Sequence, residues 1–196
     1  MSKIKVCHLY YDLMNLYGEN ANIRAIEKMC EYQGITCEVS LKTINDKIDF
    51  NSYDIYYMGS GDEKSELLVL EDMIKYKDKI KTSIESGKTF IITGNASELF
   101  GSYIIDNDVK YDALGVFNYN SVHETFRIVG SVTFSTKLIK EKIIGFQNRC
   151  GVMNDIDKPL FKVISGTGSS INSKTEGIHY KNFYATYVFG PLLIRN

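Results

Sequence analysis

The chain has no tryptophan, two prolines, three histidines and four cysteines in 196 residues, and each shortage narrows what it can be. The cysteines at 7, 30, 37 and 150 show no CxxC spacing, which argues against a structural zinc site and suits reduced thiols in a cytoplasm. No apolar run approaches the roughly 18 residues of a membrane span. The opening MSKIKVCHLYYD lacks a signal-peptide pattern. An excess of one charge sign is missing too. With 23 Lys+Arg against 24 Asp+Glu the net charge is −1, so no basic field marks a nucleic-acid binder. The composition therefore predicts a single cytoplasmic domain over 1–196 without a membrane span or a nucleic-acid partner. No cofactor and no metal-ligating set is indicated.

What is present is 44% hydrophobic residues, enough for one core. Residues 4–9 (IKVCHL) read as a strand, and Ile23, Ile26 and Cys30 then share one face of a helix closed by Gly34. Residues 35–39 and 54–58 read as further strands, the second ending in Gly59-Ser60-Gly61-Asp62. One long amphipathic helix is expected next, with Leu67, Leu70, Ile74, Ile80 and Ile84 inward and the charged residues of 62–88 solvated. Gly87 ends it, and residues 89–93 (TFIIT) run as a fourth strand into Gly94-Asn95-Ala96-Ser97-Glu98. This alternation predicts a parallel sheet covered on both faces. Beyond about residue 103 the segments 124–135, 143–148, 160–165 and 182–189 are β-rich, and 166–177 reads as a surface hairpin loop.

Three segments resemble one family. Residues 10–22 (YYDLMNLYGENAN) resemble a YPDLMNLYGDRGN-type opening, residues 54–62 a DIxxxGGGxD turn, and residues 176–193 an EGxxYKNxxGTYxHGPxL close. Residues 146–151 (FQNRCG) also resemble a FENHGG segment. The matches run in order, and the chain resembles class I glutamine amidotransferases of the cobyric acid synthase type, in particular the branch that serves lipid II isoglutaminyl synthase. That resemblance implies a flavodoxin-like α/β sandwich with a mixed, mostly parallel central sheet, a β-rich second half, and a site at the carboxyl ends of the strands. Relatives usually continue past the GPxL segment into another helix, which this chain is expected to lack.

Glutamine hydrolysis is acyl transfer by a cysteine thiolate at a strand-to-helix elbow, with a histidine as base and backbone N–H groups for the oxyanion. The resemblance places Gly94 at the nucleophile position and Phe189 at the base position. Neither can do that chemistry. Gly101 and Gly190-Pro191 hold the register on either side. Gly59, Ser60 and Gly61 are expected to present backbone N–H groups to an oxyanion or carboxylate, with the N–H of Asn95 as a second donor. The glycines read equally as a turn needing unusual dihedral angles. Arg127 matches an arginine near the family's substrate, or is a surface strand residue. Glu98, at a family glutamine position, is a candidate ligand group or a local hydrogen-bonder.

The remaining nucleophiles and bases offer little. Ser97 lacks a base. Cys150 reads as a small apolar replacement for glycine beside a turn. Cys7 and His8, adjacent on a strand, point to opposite faces. Cys30 belongs to the core, His179 reads as a structural hydrogen-bonder, and His123 falls in a polar loop with no assignable role. The leading expectation is a catalytically inactive homologue acting as a binding or regulatory subunit, with a Mur-ligase-like synthetase as partner and glutamine or a related small molecule as ligand. The 14 tyrosines and 10 phenylalanines are compatible with such an interface. Two alternatives stay open. One is a glutaminase supplying ammonia for cell-wall precursor or cobyric acid amidation with Cys150 recruited; the other is altered chemistry around Glu98.

Overall fold

The structure is a computed structural model describing residues 2–196. Its first sheet is built from β1 (Lys3–Leu9), β2 (Thr36–Lys42), β3 (Ile55–Met58), β4 (Thr89–Thr93), β11 (Ile178–Tyr180) and β12 (Phe183–Thr186), in the order β11-β12-β4-β3-β1-β2. Every pairing is parallel except β11 with β12. The second sheet is largely antiparallel. It takes β5 (Tyr103–Asp106), β6 (Val109–Asp112), β7 (Asn120–Ser135), β8 (Ile143–Asn154), β9 (Phe161–Ser165) and β10 (Thr175–Glu176), with β8 paired to β7. This is the mixed α/β architecture with a β-rich second half that the sequence predicts.

Helix α1 (Asn20–Tyr32) packs Ile23, Ile26 and Cys30 on one face of the first sheet against Val6 and Tyr57. It ends where Gly34 turns left-handed at φ +67°. The short α4 (Leu192–Arg195) follows Pro191 and brings Leu193 to the same cluster. The opposite face, with Cys7, Leu9, Tyr56 and Phe90, is covered by α2 (Glu63–Met73) and α3 (Lys77–Glu85). Cys7 and His8 do point apart, one into this core and the other toward Tyr57. Among the described residues, no helix is long and apolar enough to cross a membrane.

The single long helix expected over 62–86 is instead two helices joined by a 3₁₀ turn, Ile74–Tyr76. The tighter turn brings Met73 and Tyr76, three residues apart, to the core side, and Tyr76 donates its hydroxyl to the Asp46 carbonyl at 2.8 Å. Ile74 is thereby left 44% exposed, against expectation. The charged face is not wholly solvated either, because Glu66 and Asp72 are buried.

Three strand ends position the site. Register pairs Met58 with Ile92 and Thr93 with Thr186, so β3, β4 and β12 finish side by side. The chain leaving each of them enters the same space, which brings Ser60, Gly94 and Phe189 together across more than 120 residues of sequence.

Candidate functional site

Leu13 to Glu19 lies tight over the turn after β3. A Cβ on Gly59 would sit 2.6 Å from Glu19 Cβ, and one on Gly61 would sit 2.6 Å from Met14 Sδ. These glycines answer to close approach rather than to unusual dihedral angles, since neither has a positive φ. Asp62 then caps α2 by accepting from the Ser65 N–H at 2.8 Å, a contact worth about 1 kcal/mol. That cap sets the first turn of α2, and with it Glu63 and Glu66, against the strand ends.

Gly94 leaves β4 at φ +66°, the left-handed conformation of a sharp elbow, and begins the 3₁₀ helix Gly94–Phe100. Its missing side chain leaves no vacancy. A Cβ at this position would overlap Cβ and Oγ of Ser60 and stand 3.1 Å from Ser60 Cα. Asn95 contributes a side chain where only its N–H was anticipated. Its Oδ1 accepts from Ser60 Oγ and from the Gly61 N–H, both at 3.0 Å, while Nδ2 donates to Glu66 Oε2 at 2.8 Å. The Gly61 N–H is therefore not free to receive an oxyanion. Ser97 is buried with its hydroxyl committed to the Gly94 carbonyl.

Phe189 is 4% exposed, with its ring stacked on Tyr17 at 4.2 Å between centroids and edge-on to Phe146 at 5.9 Å. Glu19, inside the first motif but not singled out from sequence, ties these pieces together. Its buried carboxylate accepts from Tyr57 OH at 2.7 Å, from the Gly190 N–H at 2.9 Å and from the Thr93 hydroxyl. Burial raises its pKa, against the pull of those three donors.

His123 corrects the sequence reading most. It lies on β7 rather than in a loop, with its side chain 4% exposed. Pairing between β7 and β8 breaks between His123 and Ile128, so residues 124–127 stand opposite Cys150 alone. Such a bulge re-aims side chains, and here it turns both His123 and Arg127 to the site. His123 Nε2 is 3.2 Å from Glu98 Oε2 and 3.6 Å from Glu66 Oε2, and Nδ1 is 2.9 Å from Asp106 Oδ1. Burial opposes the imidazolium, but Glu98, Glu66 and Asp106 outweigh it and raise the pKa to about 10. Glu66 is itself shifted well upward, by burial and then by the charge of Glu98.

Arg127 sits at the rim, donating to Glu63 Oε1 at 3.0 Å, to Asn148 Oδ1 at 2.8 Å and to the Asn148 carbonyl at 3.1 Å. Cys150 is in mid-strand, not beside a turn. Its thiol is 3.2 Å from Glu63 Oε1, and burial together with that carboxylate pushes its pKa up to about 12. It is not a poised nucleophile. His179 is structural as expected, stacked on Tyr184 with Nε2 3.0 Å from the Lys181 carbonyl.

Ser60, Gly61, Gly94, Asn95, Glu98, Arg127 and Phe189 line one cavity with Glu66, His123, Arg149, Cys150 and Tyr187, whereas Gly59, Ser97, Cys7, His8, Cys30 and His179 do not. Its free volume is about 30 Å³, room for a water or an ion. That is far below the ~300 Å³ at which small-molecule pockets begin.

Comparison with known proteins fits this architecture. The chain is 30% identical over 198 residues to the lipid II isoglutaminyl synthase (glutamine-hydrolyzing) subunit GatD of Streptococcus pneumoniae, covering 99% of this chain and 76% of that protein. It is 29% identical over 197 residues to the subunit of the same name from Staphylococcus aureus, covering 100% and 81%. The CobB/CobQ-like glutamine amidotransferase domain matches residues 5–196, and the chain belongs to that family.

Proposed function

We propose that this chain is a catalytically inactive glutamine amidotransferase homologue that acts as a binding or regulatory subunit beside a synthetase. The observation that carries the reading is the elbow after β4. Gly94 supplies no sulfur, and Ser60 fills the space a side chain there would need. The other groups agree with it. Phe189 has no titratable atom, Asn95 Oδ1 holds the Gly61 N–H, and Cys150 is kept as a thiol. A covalent route through a thioester has neither its nucleophile nor its base.

Both relatives are named as subunits of a synthase, which supports a partner chain as the working context. The partner the resemblance implies is a Mur-ligase-like synthetase. A small ligand such as glutamine would have to open the cavity, past Arg127 at its rim.

Ammonia release from glutamine tests the reading. The natural chain should be silent, whereas a Ser60→Gly/Gly94→Cys/Phe189→His variant should gain hydrolysis sensitive to thiol alkylation. Release of ammonia by the natural chain above a no-protein control would sink the proposal.

A further inference from the structure

Glu66, Glu98 and His123 form a group that the reading above does not use. Glu66 comes from the first turn of α2, Glu98 from the 3₁₀ helix after β4, and His123 from β7. Both glutamates are fully buried, yet Glu66 Oε1 and both oxygens of Glu98 meet no donor in hydrogen-bond geometry. Beside Glu98, the buried Tyr187 hydroxyl lines the same cavity and also meets no partner in hydrogen-bond geometry. Leaving several buried polar atoms open costs folding free energy, more for charged groups. A cavity of about 30 Å³ in their midst offers the place where something could satisfy them.

We infer that this cluster is a binding site for one divalent cation of the zinc type. The donor set is two carboxylates and an imidazole, a composition that hard-to-borderline cations take. In a tetrahedral zinc site with ligands at about 2.0–2.2 Å, ligand atoms stand about 3.3–3.6 Å apart. His123 Nε2 is 3.2 Å from Glu98 Oε2 and 3.6 Å from Glu66 Oε2, and one atom from each residue falls within 4.8 Å of the others.

The surroundings match as well. Metal-bound histidines are held by a carboxylate on the other ring nitrogen, and Asp106 takes that place on Nδ1 at 2.9 Å. Asn95 Nδ2 holds the Glu66 oxygen that faces the histidine. Gly151 gives the Glu98 carboxylate its room, since a Cβ there would stand 2.7 Å from Glu98 Cδ. Glu66, Glu98 and Asp106 surround the one imidazole, and binding a divalent ion there would release the protons the group holds without it. Sequence spacing gave no sign of it because the ligands lie at 66, 98 and 123, on three separate elements.

The test is uptake of Zn²⁺ by the metal-stripped full chain, followed by calorimetric titration and elemental analysis after dialysis. One ion per chain is expected, with affinity at least ~10-fold weaker in Glu98→Gln and in Asp106→Asn. Circular dichroism establishes that each variant is folded; if Glu98→Gln is not, Asp106→Asn decides alone. Co²⁺ should bind competitively and show no thiolate charge-transfer band. Absence of uptake, uptake unchanged in the folded variants, or a Co²⁺–thiolate band would each overturn the inference. None of these outcomes depends on whether glutamine is hydrolysed.

Discussion

Placing one methyl group at the elbow probes the proposed loss of catalysis without any enzymology. A Gly94→Ala substitution meets two separate obstacles. The first is the φ of +66°, which costs an L-residue roughly 1–2 kcal/mol wherever it occurs. The second is the overlap of the new Cβ with Cβ and Oγ of Ser60, an overpacking term of about 1–3 kcal/mol. Gly94→Ala should therefore destabilise the chain by about 2–5 kcal/mol. Ser60→Gly alone removes the hydrogen bond to Asn95 Oδ1 at 3.0 Å, worth about 0.5–1.5 kcal/mol. In the double variant the dihedral term persists but the overlap does not, because Ser60 Cα stands 3.1 Å away and needs only a small adjustment. Urea denaturation of the four proteins closes a double-mutant cycle, and a favourable coupling of about 1–3 kcal/mol is expected. Additivity within ~0.5 kcal/mol would refute the claim that Ser60 occupies the side-chain space of Gly94. It would also remove the reason for including Ser60→Gly in the restored enzyme.

Two further outcomes follow from the buried acids and thiols. Glu176 accepts from Thr186 Oγ1 at 2.6 Å and from the Tyr187 N–H at 2.7 Å, and burial, only partly offset by those donors and by Arg149, raises its pKa from 4.5 to about 7. A carboxyl with a raised folded-state pKa favours folding fully below about pH 4.5 and loses that contribution as pH rises to about 7. Between those limits the natural chain should therefore lose about 3 kcal/mol relative to Glu176→Gln in paired denaturation curves, and parallel pH profiles would contradict the assignment. Cys150, at a pKa of about 12, exposes about one thiolate in ten thousand at pH 8. Mass spectrometry after iodoacetamide treatment should find it labelled far more slowly than a free cysteine and faster once Glu63→Gln removes its acceptor. Labelling at the free-thiol rate in the natural chain would mean the contact to Glu63 is wrong.

The strand and helix alternation was legible because apolar periodicity is local. The runs at 4–9, 54–58 and 89–93 each contain one observed strand or nearly coincide with it. Gly34 and Gly87 stop their helices at φ +67° and +87° as their composition suggests. The site was legible only as positions. Ser60, Gly61, Gly94, Asn95, Glu98 and Phe189 lie around one cavity beyond the ends of β3, β4 and β12, with Arg127 reaching its rim from β7. What they do there was not legible, because it is set by partners distant in sequence. His123 was read as loop just ahead of the β-rich run 124–135, whereas it lies inside β7, where a bulge over 124–127 interrupts the pairing with β8. Glu66 looked like one more charge on a solvated helix until the Asp62 cap rotated it inward. The glycines in the turn after β3 carried a backbone signal whose cause, the approach of residues 13–19, is tertiary.

Under the proposed reading, the manner in which the elbow departs from a working acyl-transfer site also bears on how it arose. Such a site keeps N–H donors unengaged and a reactive side chain in a strained conformation, both of which weigh against stability. Here each of those liabilities is relieved by a neighbour. Glycine at 94 relaxes the φ of +66°, Ser60 occupies the space that the exchange opens, and Asn95 Oδ1 takes the Gly61 N–H at 3.0 Å. Phe189 adds a stacked contact to Tyr17, the kind of aromatic pair worth about 0.5–1.5 kcal/mol beyond area burial. Random erosion of a site would leave holes and unpaired groups along this wall. Instead, among the described residues that line the cavity, the unpaired buried atoms belong to Glu66, Glu98, Tyr187 and Arg149 and to none of the elbow residues. Under the proposed reading, stability was recovered on the wall where hydrolysis needs its machinery, while polar groups were kept open on the wall that faces His123. A chain serving only as inert filler has no use for that second wall, which is why ligand binding there, and not folding alone, is the property to measure.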